Sequence, residues 1–451
     1  LTLTADPGRP LRFDTVTGAF DGAVTLGPAD LAVTGTPAGR LDARLDRGRF
    51  AVAGGALQAD LSGRLGLPEA GVVLNGLRLS LAGADTQTVR LDVDRIEAAG
   101  TPAPVIPLKL AARATRRGDR VTFDGEVFDA GRRLVVSGKG THRLDTGTGD
   151  AGVALNPITF LPTVLQPSNL FPILAGRFSE VDGTVDAKGF FRWGRAGMTS
   201  GGSVSIAART LAVSGADLHG VAAEVRFDSL LPPHSAPDQI ATVDRIEVGL
   251  PFTDGRTVFT VEDGQRLRGR LENLSLFGGT IQTEPFVFDM ASPDFTVILR
   301  VDGVDLQSFL SFADYGDVQA KGSLRGRLPI VFSNGRASIR EGVLETEAPG
   351  TLSYVPAGAE ALGQANAGTE MLFEALRDFR YDQIRIEITE TPEQPLVLRL
   401  KLKGASPNVY DGFPLELNVN IGGALRDVLE RGLKTYQLPA GVADRLGEAA
   451  K

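Results

Sequence analysis

The stretch PLVLRLKLKGASPNVYDGFPLELNVNIGG, Pro395 to Gly423, holds two runs of near-perfect alternation. Leu396, Leu398, Leu400 and Leu402 share one parity, with Arg399, Lys401 and Lys403 on the other. Leu415, Leu417, Val419 and Ile421 repeat the arrangement around Glu416, Asn418 and Asn420. A strand sends successive side chains to opposite faces, so these runs build a sheet that is oily on one side and charged on the other. What lies against the oily side decides the fold.

The same alternation recurs along most of the chain. Val221, Ala223, Val225 and Phe227 oppose Glu224, Arg226 and Asp228, and Phe295, Val297, Leu299 and Val301 oppose Thr296 and Arg300. The 55 glycines and 26 prolines punctuate short apolar runs, as in a chain of many strands and turns. Asp182-Gly183, Asp254-Gly255, Asp263-Gly264, Asn334-Gly335 and Asp411-Gly412 predict hairpin turns, because such pairs accept positive φ. Helical periodicity is confined to Ala359 to Phe379, Ala424 to Tyr436, and two short segments, Asn156 to Leu165 and Asp305 to Phe312.

Two short matches indicate a divergent internal repeat. VDRIE occurs at Val93 to Glu97 and Val243 to Glu247, and AKG at Ala187 to Gly189 and Ala320 to Gly322. The predicted organisation is an N-terminal sheet segment over 1–90, a first repeat over 91–240, a second over 241–355, and a C-terminal part over 356–451 with a helix, the final strands and a terminal helix. So few helices cannot cover so many strands. The sheet must pack as sandwiches, close into barrels, or curl into an open trough whose oily face lines the inside. At ~4.8 Å per strand, roughly 25 strands side by side would span roughly 120 Å.

Several functions lose support. A net charge of -8, with Lys and Arg dispersed, offers no basic stripe to nucleic acid. Absence of cysteine removes disulfides and thiolate chemistry. His142, His219 and His234 are isolated, without a companion at metal-ligand spacing, and read as ordinary surface residues. Neither a nucleophile elbow nor a phosphate loop is present, so no catalytic residue, metal ligand or cofactor is expected. One tryptophan and five tyrosines provide no aromatic girdle for an outer-membrane barrel. No apolar run reaches the length of a membrane span, and Leu stands at position 1, so the chain reads as a piece of a longer protein, from which any anchor would be missing.

Particular segments resemble the YdbH family of AsmA-like, TamB-like proteins. They are LFGGTIQTEPFVFD (Leu276 to Asp289), VDGVDLQSFL (Val301 to Leu310), the run from Ser323 to Pro356, MLFEALRDFRYDQIRIEI (Met371 to Ile388) and LKLKGASPNVYDGFPLELNVNIGG (Leu400 to Gly423), in that order. The resemblance implies a periplasmic protein of the Gram-negative envelope, anchored in the inner membrane by an N-terminal helix absent from this chain. It also implies a long β-trough that moves phospholipid between the inner and outer membranes, and a small YnbE-like outer-membrane lipoprotein at the C-terminal end. The expected fold is mainly β, a long twisted antiparallel sheet curled into an open hydrophobic trough, with a few short helices and C-terminal amphipathic helices.

The expected lipid-lining positions are Val297, Leu299, Leu306, Phe309, Leu310, Ile384, Ile386, Ile388, Leu398, Leu400, Leu402, Leu415, Leu417, Val419 and Ile421. The expected partner edge is Leu415, Glu416, Leu417, Asn418, Val419, Asn420 and Ile421. A uniform Leu, Val and Ile stripe holds acyl chains at ~0.8 kcal/mol per buried methylene without fixing one position. Headgroups would stay in water along the open seam, a placement that needs no polar motif. The competing expectations are a structural or adhesive β-solenoid or sandwich of the envelope with its oily faces packed together and, last, an enzyme or small-solute carrier.

Overall fold

The computed structural model describes residues 3–421, apart from 7, 16–19, 37–38, 214–215, 290–291, 293, 313–316, 334–335, 356–366 and 392–393. Strand makes up 73% of it and helix 6%, so most of the sheet has no helical layer over it. The strands form one large antiparallel sheet that does not close into a barrel, as an open curled trough requires. Two compact units divide the chain: 1–207 with 224–234, and 208–223 with 235–451.

The first unit is a meander. Gly39–Ala53, Ala56–Leu67, Val72–Gly83, Thr86–Ala98, Leu108–Arg117, Arg120–Asp129, Val135–Arg143, Thr148–Phe160 and Phe178–Gly194 each pair antiparallel with the next. Tight turns allow this. Gly54 and Gly55, at φ +54° and +80°, form the two-residue link that side chains with a Cβ adopt poorly. At the far end of the Thr148–Phe160 strand the chain makes a short helix, Pro167–Leu170, and a 3-10 turn, Pro172–Leu174. The predicted helix over Asn156 to Leu165 is therefore misplaced. Ile158 and Thr159 are β-branched and continue the strand, while Pro167 occupies the first helical position that its ring favours.

The second unit carries the covering helices. Leu306–Phe312 begins where the Asp305 carboxylate accepts a hydrogen bond from the Ser308 N–H at 2.7 Å, in the predicted place. Ala367–Arg377 lies within the predicted Ala359 to Phe379, but Phe379 opens the next strand and is fully buried there. The predicted helix over Ala424 to Tyr436 lies outside the described residues. Among the predicted hairpin turns, Asp263-Gly264 joins two strands and Asp411-Gly412 lies in a short turn before Leu415–Ile421. Asp182-Gly183 and Asp254-Gly255 instead lie inside strands, the latter at a register shift with Asp254 at φ +55°. Positive φ serves a bulge as readily as a turn, so the dipeptide alone does not tell them apart. Asn334-Gly335 lies outside the described residues.

The two repeated motifs sit in like surroundings. Asp94 and Asp244, second in each VDRIE, each face a glycine on the neighbouring strand, Gly76 at φ +65° and Gly220 at +64°. An added Cβ at either glycine would run into the aspartate side chain. Ahead of each AKG, a glutamine from the short helical crossing reaches back to a strand. Gln166 accepts from the Val181 N–H and donates to its carbonyl, both at 2.9 Å. Gln307 accepts from the Ala320 N–H at 2.7 Å and donates to the Val318 carbonyl at 3.4 Å.

Candidate functional site

In the first unit the register carries apolar residues straight across the meander. One row runs Leu61, Leu79, Leu91, Ala112, Gly125, Gly138, Val153, Gly189. Beside it runs Phe50, Ala59, Leu81, Val89, Ala114, Phe123, Gly140, Ala151, Phe191. On its other side lies Gly63, Leu77, Val93, Leu110, Val127, Val136, Leu155, Ala187. No charged side chain interrupts these three rows. Most of the residues are only half-buried, because no second layer among the described residues covers them.

Small residues hollow this face. Gly125 and Gly138 form the floor of a concavity of about 380 Å³ ringed by Leu79, Leu91, Leu110, Phe123, Val136 and Val153, within the size range of ligand pockets. At Gly138 an added Cβ would meet nothing nearer than Val153 Cγ1 at 3.7 Å, so the absence of a side chain there is not forced by packing.

The opposite face is charged and self-paired. Arg113 bonds Asp124 at 2.9 Å, and Arg78 holds Asp94 through two nitrogens. The Arg78 guanidinium keeps the Asp94 carboxyl below the ordinary carboxylate range, and Asp124 raises Arg113. Such exposed pairs add little stability but keep that side in water.

One end of the hollow face is sealed. Asp129 is 1% exposed and accepts hydrogen bonds from Gly131, Arg133 and Leu134 N–H groups and from Arg133 Nε. Burial raises its pKa, but these bonds outweigh burial and leave it lowered. Leu134, Val135, Ile158, Phe160, Leu170 and Val181 are all buried around that end.

The second unit brings the sequence-predicted positions together differently. Ile281, Val301, Gly326, Leu344, Ile386, Leu400 and Val419 form one cross-strand row, flanked by Ile384 with Leu402 and Leu417, and by Ile388 with Leu398 and Ile421. Ile384, Ile388, Leu398 and Leu402 are at most 2% exposed, and Val297, Leu306, Phe309 and Ile386 are also buried. Leu299, Leu310, Leu400, Leu415 and Leu417 are half-buried and pack against the same cluster. The side chains of Val419 and Ile421 lie outside the described residues. Leu376 joins the cluster from the Ala367–Arg377 helix, and Leu306 and Phe309 from Leu306–Phe312. Beneath the ladder Tyr381 donates to the Lys321 carbonyl, and burial raises its pKa. On the charged side Arg385 joins Glu345 and Glu387, and Lys401 reaches Glu387 at 2.8 Å.

The sequence-predicted lipid-lining positions all lie in the second unit, and none lies on the first unit's face. Its signal was present as alternation of Gly or Ala with charge, in DGEV, SGKG and DAKG. His142, expected to be an ordinary surface residue, is half-buried on the apolar-face parity and accepts a hydrogen bond from Trp193 Nε1 at Nδ1, 3.0 Å away. Among the described residues no cluster of metal-ligating side chains occurs, and no helix is long and apolar enough to cross a membrane.

An antiparallel sheet whose first unit presents one open apolar face and one charged face has the make-up of a protein that holds apolar cargo. The chain belongs to the YdbH-like family, described as the intermembrane phospholipid transport protein YdbH, whose family model matches residues 7–446. Its function is phospholipid transport between membranes, which places it in the periplasmic cell envelope. Comparison with curated proteins and with solved structures gives no match.

Proposed function

We propose that the hollow apolar face of the first unit is where the acyl chains of a phospholipid lie during passage between the inner and outer membranes of a Gram-negative envelope. The observation that carries this reading is the set of three adjacent apolar rows, uninterrupted by charge, across the meander. Burial of methylenes along a uniform stripe holds a chain without a deep local minimum, so the lipid can slide. In the second unit Leu299, Leu310, Leu400, Leu415 and Leu417 retain surface for tails, supported from below by Val297, Leu306, Phe309, Ile384, Ile386, Ile388, Leu398 and Leu402. Val419 and Ile421 extend their rows by register.

The strand Leu415–Ile421 pairs with Gln394–Ala405. We assign its other edge, Leu415, Glu416, Leu417, Asn418, Val419, Asn420 and Ile421, to strand addition by a small YnbE-like outer-membrane lipoprotein. An N-terminal inner-membrane anchor completes the arrangement. The protein does no chemistry on its cargo.

Gly138→Leu tests the groove. The side chain has room at its root and projects into the concavity, so the protein folds while phospholipid recovered with it, counted by mass spectrometry, falls several-fold. Unchanged lipid content refutes the assignment of this face. The packed interior of the second unit favours a second reading, a structural envelope protein without ligand; lipid-free protein that still supports the outer membrane would establish it. Deleting Leu415–Ile421 abolishes capture of the lipoprotein, and retained capture places that partner elsewhere.

A further inference from the structure

The hollow face has a polar lip opposite its sealed end. The register continues one step past the apolar rows into Gln87, Arg116, Val121, His142, Gly149 and Trp193, paired in that order across six strands. Each lies two residues beyond a member of the Val89 to Phe191 row, so all share the parity of the apolar face. The charged outer face contributes none of them.

Three features mark this lip. Arg78, Arg113 and Arg143 of the outer face pair with Asp94, Asp124 and Asp145. Arg116, among the described residues, has no carboxylate partner: its Nε donates to the Gly118 carbonyl at 2.9 Å and its Nη1 to Gln87 Oε1 at 3.3 Å. These bonds hold the guanidinium at the lip and leave Nη2 for an anion. Next, the Trp193 Nε1–H bond uses the lone pair on His142 Nδ1, so the neutral ring carries its proton on Nε2 as a second donor. Finally, Trp193 stacks with both His142 and Phe123, at centroid separations of 6.1 and 6.4 Å and 27° in each case. Phe123 belongs to the tail-lining face, and an indole is suited to a boundary that is apolar on one side and wet on the other.

We infer that the lip of Gln87, Arg116, His142 and Trp193 is a headgroup rail, which binds the phosphate of a glycerophospholipid while its tails lie on the adjoining rows. The inference rests on the groove reading above and deepens it. Arg116 supplies the charge-assisted donors that phosphate oxygens accept, and His142, two strand spacings or ~10 Å away, adds its Nε2–H donor. At the sealed end buried side chains exclude water and the Asp129 carboxylate repels a phosphate, so a bound lipid has one orientation, tails toward that end and phosphate at the lip.

Trp193 is the sole tryptophan, so its fluorescence reports on this lip alone. The full chain is loaded from phosphatidylcholine vesicles carrying a nitroxide either on the headgroup or near the acyl terminus, with bound lipid counted by mass spectrometry. The headgroup label is expected to quench Trp193 more strongly, and Arg116→Gln to weaken loading roughly 10-fold, the scale of one charge-assisted hydrogen bond. Bound lipid that quenches equally or more strongly through its acyl label overturns the rail but leaves the groove standing. Absence of bound lipid of either kind overturns the groove and the rail with it. Inorganic phosphate alone altering Trp193 and competing with lipid would mark a free-anion site and also overturn the proposal.

Discussion

Leu91 and Leu398 occupy equivalent places in the same alternating pattern and have opposite fates. Leu91, in the first unit, is half-buried beside a concavity floored by Gly125 and Gly138. Leu398, in the second, is 1% exposed in a cluster closed by isoleucines, phenylalanines and two helices. Both strands satisfy the rule of apolar on one side and polar on the other. Coverage of the apolar side is a separate matter, set by the bulk of cross-strand neighbours and by whether a helix arrives to cap it. A bare face serves cargo; a covered one supplies stability.

The sharpest way to break this contrast is to bury a carboxylate in each. Ile384→Asp is expected to cost more than about 4 kcal/mol and to unfold the second unit, because an unpaired charge there has no water and no partner. Leu91→Asp is expected to leave protection from hydrogen exchange in the first unit near that of the parent while bound phospholipid is lost. Equal loss of protection in both would show that the first unit's face is packed too. Truncation gives a smaller version: Leu398→Ala is expected to cost about 2–5 kcal/mol and Leu91→Ala less than about 1.5 kcal/mol in chemical denaturation.

The glutamine links compare how each unit secures its short helical crossing. Gln307→Ala leaves the Ala320 N–H without its acceptor, and Gln166→Ala does the same to Val181, so each is expected to cost about 1–3 kcal/mol. Local hydrogen exchange at Ala320 and Val181 reads this directly. A loss confined to one of them would mean that the shared arrangement is not a shared source of stability.

A further expected effect concerns acid. Asp129 has a lowered pKa in the folded state, so it contributes stability above the ordinary carboxylate range, and that contribution is lost as pH falls through the folded value. Asp129→Asn is expected to lower the stability of the first unit by about 1–3 kcal/mol at neutral pH and to flatten its decline in acid. Denaturation midpoints at neutral and acidic pH check this. An unchanged acid slope would assign the decline to other carboxylates.

Much of the architecture was legible in the chain. Alternation identified the strands, scarcity of helical periodicity pointed to an open sheet, and Asp305 with the apolar residues after it marked the helix at Leu306. The misplaced helix at Asn156 shows the limit, since a short apolar run fits a strand or a helix and only the β-branched Ile158 and Thr159 argue between them. The polar lip was illegible for another reason. Gln87, Arg116, His142 and Trp193 lie in different strands, and nothing short of the cross-strand register brings them into line.

The opening stretch from Pro395 to Gly423 illustrates the division. Its spacing alone establishes two strands with leucines on one side and charge on the other, and the order of such segments along the chain carries the family resemblance. Spacing says which side chains share a face, because that follows from the two-residue period of a strand. It is silent about what stands opposite that face, because coverage depends on contacts between residues far apart in sequence. Folding therefore assigns the C-terminal leucines a largely packed interior and leaves the glycine-floored face of the first unit bare.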